Sequence, residues 1–209
     1  MTTINAEQAY TYSRYSELQI DPIDLCEYFG YRLDIVHELS LATLTGDLPD
    51  LLQLQQRLSR ISTRLISRNE QSKREMLVAP VVEYVVEIAD ALIRIEYAVK
   101  VSHQLQGTVD YLLSIDNLSQ LLVIEAKRDD LDYGFTQLMA ELIALDQWER
   151  SPSKASQPIL LGAITTGAIW QFAALDRVEK KIRQGVRSFR SPEDLDEIVR
   201  NLVGSLRCG

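Results

Sequence analysis

The strongest constraint on the fold is an apolar run that leads directly into charged residues. Leu121–Ile124 are all apolar, and Glu125 follows at once. A short, unbroken apolar run is typical of a strand inside a sheet rather than at its edge. Asp116–Ser119 is a turn-prone tetrad, so residues 108–115 and 120–127 are predicted to form a hairpin around it. The second strand is therefore predicted to be central, with charges emerging only at its C-terminal end.

The rest of the chain is predicted to place helices and further strands around this hairpin. Apolar residues that recur every three or four positions indicate helices, and alternation of apolar and polar residues indicates strands. From residue 69 the predicted order is helix, three strands, helix, two strands, helix, which gives a mixed sheet with helices packed against it. The predicted helices are 69–90, 133–149 and 192–206, and the predicted strands are 93–101, 108–115, 120–127, 159–165 and 168–174.

Residues 1–66 are predicted to form a helical extension that precedes a domain at 67–209. Apolar residues at helical spacing predict one helix over 23–44, ended by the turn at Gly46–Asp50. The next helix carries a two-heptad apolar stripe. We favour packing of this stripe against a neighbouring helix, and a dimer seam is the alternative. The stripe consists of Leu51, Leu54, Leu58, Ile61 and Leu65.

The charge balance excludes a protein whose whole surface is basic. The 209 residues contain 22 Lys and Arg against 30 Asp and Glu, a formal charge of −8, whereas phosphate backbones attract clustered Lys and Arg. Two segments are locally basic, with +5 over 57–74 and +4 over 176–190. The first is either a solvated flank or a phosphate-tracking surface, and we expect the two segments to form basic patches that flank an acidic, metal-requiring cleft. With two cysteines and no long apolar run, we expect a cytoplasmic protein that does not enter a membrane.

The predicted hairpin brings two carboxylates together. If the turn centres on residues 117–118, Asp110 lies opposite Glu125, with Cβ atoms about 5 Å apart, where carboxylates repel each other. A divalent cation between them would remove the repulsion, and hard oxygen ligands suit Mg²⁺ or Mn²⁺. Lys127 shares a strand face with Glu125 and would orient a water or offset charge on a phosphate. The alternative is an exposed strand end with an ordinary salt bridge.

The motifs around this hairpin resemble those of a known nuclease superfamily. Gly107-x-x-Asp110, the hairpin, Glu125-x-Lys127 and a helix bearing Gln137 resemble the PD-(D/E)xK, or restriction-endonuclease-like, superfamily. The closest likeness is to the N-terminal nuclease domain of type I restriction enzyme R subunits and related stand-alone proteins, and it covers residues 67–175. The other similar blocks are Asn69-Glu70-x-x-x-Arg74-x-x-Leu77-Val-Ala-Pro80, Val109-Asp110-Tyr111, Ile124–Arg128, Gln137-Leu138 and Thr165-Thr-Gly-x-x-Trp170-x-Phe172.

This resemblance implies a fold and a chemistry. The fold is a three-layer α/β/α restriction-endonuclease-like core with a mixed central sheet, placed after the helical extension. The activity is Mg²⁺-dependent endonucleolytic cleavage of DNA, with Mn²⁺ as the other candidate metal. By the match, Asp110, Glu125 and the Ala126 carbonyl would bind the metal, and Lys127 would be the catalytic lysine.

The resemblance also assigns two residues outside the hairpin. Gln137 would support the site or contact nucleic acid, and a solvated helix position is the alternative. Glu70 would be the first-helix acid, with Glu75 as a nearby substitute. Glu141 is a departure, because related nucleases frequently have a tyrosine four residues after the glutamine. No Gly-x-x-x-x-Gly-Lys-[Ser/Thr] sequence occurs, so the chain lacks the phosphate-binding loop of an ATP-driven motor.

A second hypothesis is a catalytically inactive nucleic-acid-binding or protein-assembly module on the same fold. Such a module would use the N-terminal helices to form a homodimer or to dock a partner. The sequence leaves open whether the substrate is DNA or RNA, and whether it is duplex, branched or single-stranded.

Overall fold

A single mixed sheet organises the molecule. The computed structural model describes residues 4–66, 69–127 and 131–207, and within them eight strands form one sheet. The strands are β1 Arg32–Val36, β2 Leu92–Lys100, β3 Gln106–Ile115, β4 Gln120–Ala126, β5 Ile159–Thr165, β6 Ile169–Asp176, β7 Lys181–Gly185 and β8 Phe189–Arg190. Their order is β1-β7-β6-β5-β4-β3-β2, with β8 paired to β6. The β1–β7 and β4–β5 pairs are parallel, and the other pairs are antiparallel.

Helices cover both faces of this sheet. They are α1 Tyr12–Glu17, α2 Pro22–Tyr28, α3 Leu51–Ser62, α4 Glu70–Lys73, α5 Ala79–Ala89, α6 Leu131–Gln147 and α7 Leu195–Arg207. Buried side chains of α1, α2 and α6 form one hydrophobic cluster, and those of α3, α5 and α7 form another on the opposite face. The predicted three-layer α/β/α architecture with a mixed central sheet is therefore confirmed.

The hairpin that anchors the fold has the predicted register. β3 and β4 pair antiparallel from Tyr111 opposite Ile124 to Ile115 opposite Gln120. Strand β4 lies between β3 and β5, and its residues from Leu121 to Ala126 are buried. The unbroken apolar run therefore marks a central strand, and the charged residues lie at its C-terminal end.

The predicted helix over 69–90 is confirmed, with one irregularity. Glu70–Lys73 and Ala79–Ala89 are joined by a π-helical turn, Arg74–Val78, without a break in the helical path. Pro80 lies just after this turn, as the second residue of α5, and supplies no N–H group to the helical path. Wide π-helical turns are frequent at functional sites, and this one carries Arg74 towards the end of the hairpin.

The expectation that residues 1–66 are helical throughout is wrong in one part. The predicted helix over 23–44 ends at Tyr28, and Arg32–Val36 forms an edge strand that pairs in parallel with β7. Gly30 adopts φ +78 just after the helix, a left-handed conformation that commonly terminates helices. The local apolar spacing suits either structure, and pairing with a strand 145 or more residues later selects the strand. The domain boundary at residue 66 stays a prediction.

The apolar stripe of α3 packs into the core, as the favoured interpretation holds. Leu54 and Leu58 are buried in the cluster formed with α5 and α7, and the remaining stripe residues are partly buried against it. This arrangement accounts for the heptad spacing without a partner subunit. A homodimer through the N-terminal helices stays a prediction.

The second basic segment, 176–190, is corrected by the structure. It contains β7 and β8, two strands that the sequence analysis did not predict. Arg177 is buried and paired with Asp146, and other cations of the segment are paired with acids of neighbouring elements. These pairs are Lys181–Asp34, Arg187–Glu38, Arg187–Glu197 and Arg190–Asp194. The segment is therefore largely charge-compensated and is not an open basic patch.

Among the helices in the described parts of the chain, none combines the length and the apolar character needed to cross a bilayer. A cytoplasmic location stays a prediction.

Truncation of Leu58 tests whether the α3 stripe stabilises the core. Because Leu58 is 1% exposed, Leu58→Ala is expected to lower the free energy of unfolding by about 2–5 kcal/mol, measured by urea denaturation. Leu52→Ala is the matched control, because Leu52 lies on the same helix and is 65% exposed. A stability loss in Leu58→Ala that depends on protein concentration would instead indicate a subunit seam.

Candidate active site at the end of the central strand

Three elements converge where the central strand ends. Strands β4 and β5 are parallel, and α6 connects them, so the first turns of α6 lie beside the C-terminal end of β4. The start of β3 lies on the other side of β4, and the π-helical turn approaches it through Arg74. The site therefore combines side chains that are distant in sequence.

Lys127, Glu125 and Gln137 form a tight, largely buried triangle. The Lys127 Nζ atom lies 2.7 Å from Glu125 Oε1 and donates a 2.7 Å hydrogen bond to Gln137 Oε1. Gln137 Nε2 in turn donates a 2.7 Å hydrogen bond to the same Glu125 oxygen. Gln137 is 4% exposed, so the alternative of a solvated helix position is wrong. The predicted common face of Glu125 and Lys127 is confirmed by their contact.

Glu141 joins this triangle from one helical turn further along α6. Its Oε1 accepts a 2.9 Å hydrogen bond from Gln137 Nε2, and its side chain is fully buried. The second carboxylate oxygens of Glu125 and Glu141, both Oε2, are buried and accept no hydrogen bond. Two carboxylates thus share one amide group in a region removed from water.

Burial controls the ionisation of these groups. Burial raises the pKa of Glu125 to about 7, although the adjacent Lys127 ammonium opposes the increase. The pKa of Glu141 is raised well above its ordinary range by burial and by the charge of Glu125. Burial is the largest single effect and lowers the pKa of Lys127, but the charge and hydrogen bond of Glu125, together with the charges of Glu141 and Glu70, outweigh it, and the net change is upward. Lys127 is therefore a protonated ammonium at neutral pH.

Asp110 has separate partners on the other side of the strand end. Its Oδ1 accepts a 2.9 Å hydrogen bond from Arg74 Nη1, and its Oδ2 accepts a 2.9 Å hydrogen bond from the Ala126 amide. Arg74 also donates to Glu96 Oε1 at 2.7 Å. The predicted repulsion between Asp110 and Glu125 is thus offset in the structure by two protein cations, one beside each carboxylate.

The sheet is irregular beside Asp110. The β2–β3 ladder pairs Ile95 with Tyr111 and Tyr97 with Val109, and it omits the intervening pair of Glu96 and Asp110. Glu96 has φ +49, a left-handed conformation that is rare for a residue with a side chain. Backbone strain of this kind concentrates at functional sites. The left-handed conformation also turns the Glu96 side chain towards Arg74.

Gly134 allows α6 to approach Lys127 closely. A Cβ atom at position 134 would lie 3.0 Å from Lys127 Cγ and would clash with the Ile164 side chain. The first turns of α6 therefore hold the stem of Lys127 against the sheet. A glycine here has a positioning role that its place inside a helix does not suggest.

The two first-helix acids lie outside the triangle. Glu70 is exposed at the start of α4, and its charge contributes to the raised pKa of Lys127. Glu75 is exposed and accepts a hydrogen bond from Gln71. The role of either residue as the first-helix acid stays a prediction. Arg128 of the predicted motif block lies outside the described residues.

The donor set at the strand end is compatible with a hard divalent cation. Glu125 Oε2 is a buried carboxylate oxygen without a hydrogen-bond partner, and Asp110 accepts a hydrogen bond from the amide of the next residue, Ala126. In residues 4–66, 69–127 and 131–207, no three His, Cys, Asp or Glu side chains are grouped as a metal site. The predicted set has two carboxylates and the Ala126 carbonyl, and Mg²⁺ commonly keeps several waters beside one or two carboxylates.

The sequence analysis missed four residues that shape this site. Glu141 follows Gln137 by four positions, which places both on one face of a helix. Arg74 follows Glu70 by the same spacing, so its motif block already placed it on that helix. The contribution of Glu96 depends on the β2–β3 register, and that of Gly134 on close packing between helix and sheet. Neither has a signal in the local sequence.

Comparisons with known proteins add little to this geometry. No family model and no curated protein matches the sequence. One solved structure, described as a cryoEM structure of a DrdV–DNA complex, is similar over 78% of this chain, with a TM-score of 0.48 and 12% identity. The match spans 14% of that much longer chain.

The buried carboxylates predict a particular pH dependence of stability. Because folding raises the pKa of Glu125 above its ordinary value of 4.5 to about 7, the folded protein retains protons that the unfolded chain has released. The free energy of unfolding should therefore fall as the pH rises from about 5 to 8, by a few kcal/mol, at about 1.4 kcal/mol per pKa unit. Urea denaturation in metal-free buffer measures this. The double variant Glu125→Gln, Glu141→Gln should show a flatter dependence, and an equal slope would contradict the assignment.

Proposed function

We propose that this protein is a Mg²⁺-dependent DNA endonuclease of the PD-(D/E)xK type. The observation that carries the proposal is the Lys127 ammonium, which Glu125 and Gln137 hold at the end of the central strand, across from Asp110. These are the side chains that the resemblance assigns to catalysis, and they converge from two strands and a helix. A chance match of short motifs would not require the residues to meet in space.

The chemistry follows from the charge of each group. Asp110, Glu125 and the Ala126 carbonyl would hold the metal, which when bound supplies positive charge and a lowered pKa for a coordinated water. Lys127 stays protonated because the adjacent carboxylate raises its pKa, so it stabilises negative charge that develops on a phosphate. Gln137 fixes the direction of the ammonium through its carbonyl oxygen. The arrangement suits hydrolysis of a phosphodiester.

One surface is suited to contact the DNA backbone. Arg57 and Arg60 are exposed on α3 and Arg64 is exposed just after it, on a flank beside the apolar stripe. Arg68 belongs to the same predicted patch and lies outside the described residues. Exposed arginines in a row bind phosphates and make affinity fall with salt concentration. The largely compensated segment 176–190 supplies no equivalent surface, so we assign DNA contact to α3.

Replacement of Lys127 tests the proposed reaction directly. Wild-type protein is expected to nick or linearise plasmid DNA with Mg²⁺ or Mn²⁺ and not with EDTA, and Lys127→Ala should reduce the rate about 100-fold or more. Lys181→Ala is the matched control. Lys181 is also a half-buried, ion-paired lysine, but it lies at the start of β7 and not at the end of β4. Intact plasmid under varied metals and DNA substrates, with wild-type protein, would refute the proposal.

A second candidate function is a binding module without catalysis. It is favoured by the two partners of Asp110, because Arg74 and the Ala126 amide occupy both carboxylate oxygens that a metal would need. In an active enzyme, Arg74 would have to release Asp110, and its second partner Glu96 remains available to it. In a binding module the Arg74–Asp110 pair would be permanent.

Calorimetry with Mn²⁺ distinguishes the two functions. The enzyme should bind Mn²⁺, Asp110→Ala should abolish binding, and Arg74→Ala should bind at least as tightly as wild type because the competing cation is removed. A binding module should show no heat of Mn²⁺ binding in any of the three proteins. Weaker binding in Arg74→Ala than in wild type would contradict the release of Asp110 by Arg74.

A further inference from the structure

We propose that Glu141 is a positioning residue that holds the Gln137 amide, and through it the Lys127 ammonium, in the orientation that cleavage requires. This inference rests on the proposed function, since it concerns the lysine to which we assign the stabilisation of phosphate charge. Glu141 is fully buried, and the hydrogen bonds that link it to Lys127 run through Gln137.

Packing does not explain a carboxylate at position 141. Its neighbours on α6, such as Leu138, Leu142 and Leu145, are buried apolar residues, and a leucine or methionine would fill the same space. A buried carboxylate is costly unless its oxygens are well paired. Here one oxygen accepts a hydrogen bond from Gln137, and the other accepts none. A buried acid that costs stability in this way is better explained by its hydrogen bond with Gln137 than by packing.

The hydrogen bond from Gln137 Nε2 to Glu141 also restrains the Gln137 amide. An amide nitrogen has two hydrogens to donate, and an amide oxygen only accepts. Gln137 Nε2 donates to Glu125 and to Glu141, which leaves Oε1 to accept from Lys127 Nζ. The reversed amide would place its oxygen against two carboxylates and its nitrogen against an ammonium. Lys127 and Glu125 orient the amide, and Glu141 uses its second hydrogen and restrains the amide nitrogen from the helix.

The contact is also local, which makes it a stable support. Gln137 and Glu141 are four residues apart on one helix, where side chains meet without help from other elements. Lys127 follows β4, and Glu125 is the penultimate residue of that strand, so their positions depend on the sheet. Glu141 thus ties the amide to the rigid helix and sets it against the strand end.

Two variants of Glu141 separate positioning from bulk packing. Glu141→Met fills the space but accepts no hydrogen bond from Gln137, whereas Glu141→Gln keeps an acceptor oxygen at the same distance from the backbone. We expect Glu141→Met to lower kcat for metal-dependent DNA cleavage by about 10- to 100-fold, the effect of a misplaced catalytic group. KM should change little, and Glu141→Gln should retain most of the wild-type kcat.

A second measurement does not depend on activity. The rate at which an amine-reactive reagent modifies Lys127, followed by peptide mass spectrometry, reports how firmly the ammonium is held. The rate should rise severalfold in Glu141→Met and stay near wild type in Glu141→Gln, with Lys181 as the internal reference in each sample. If the wild-type protein cleaves no DNA, the proposed function fails, and the modification rates still test the role of Glu141.

Asp146→Asn is the control for loss of a buried carboxylate on the same helix. Asp146 is paired with Arg177 far from the triangle, so this variant should lose thermal stability without a change in kcat or in Lys127 modification. Wild-type values of both quantities in Glu141→Met would overturn the proposal. Equal impairment of Glu141→Gln and Glu141→Met would also overturn it, because the acceptor oxygen would then be insufficient.

A double-mutant comparison covers the case in which Glu141→Met does not fold. The double variant Gln137→Met, Glu141→Met replaces both partners of the hydrogen bond with apolar groups, so neither is left unpaired. Because Glu141 acts through Gln137, the Lys127 modification rate of the double variant should equal that of Gln137→Met. A further increase in the double variant would show that Glu141 acts on Lys127 by another route, and would overturn the proposal.

Discussion

The contact on which the site depends is the one between a buried ammonium and a buried carboxylate. Lys127 and Glu125 are two residues apart at the end of β4, and their charged atoms lie 2.7 Å apart. Neither charge would be tolerated in this region alone, since an unpaired buried charge is strongly unfavourable. Gln137 bonds to both, so the helix α6 is fixed to the strand end by polar contacts as well as by its apolar face. The geometry of the whole site follows from this pairing.

The charge of the second carboxylate, Asp110, is balanced by a protein cation. Asp110 would repel Glu125 across the hairpin, and Arg74 compensates it from a π-helical turn in a separate layer. The same guanidinium contacts Glu96, where the sheet ladder is interrupted. A cation with two acidic partners can exchange one of them at small cost. The π-helical turn that carries Arg74 and the interrupted ladder at Glu96 therefore lie beside Asp110, from which a metal would have to displace Arg74.

The central hairpin could be predicted from the sequence because its two strands and its turn are specified by residues that are close together in the chain. An apolar run bounded by a four-residue turn permits one register, and the structure has that register from Tyr111 to Ile115. The common face of Glu125 and Lys127 follows from the two-residue period of a strand. The N-terminal segment is different. Its apolar spacing over 23–44 suits a helix or a strand, and β1 forms only because β7 offers a partner. The basic segment 176–190 likewise forms β7 and β8, with little apolar content of its own, between strands that pair with it.

The sequence by itself determined the layer order of the core from residue 69, the central strand and the residues that gather at its end. These follow from periodicity, turn chemistry and the motif spacing of Asp110, Glu125, Lys127 and Gln137. Only the tertiary structure decided how the charges are paired. Arg74 and Glu96 reach Asp110 from other elements, Gly134 admits the stem of Lys127, and Glu141 becomes buried beside Gln137. Such pairings depend on the distances between elements. A sequence pattern specifies which face of an element is apolar or polar, but not which other element lies against that face.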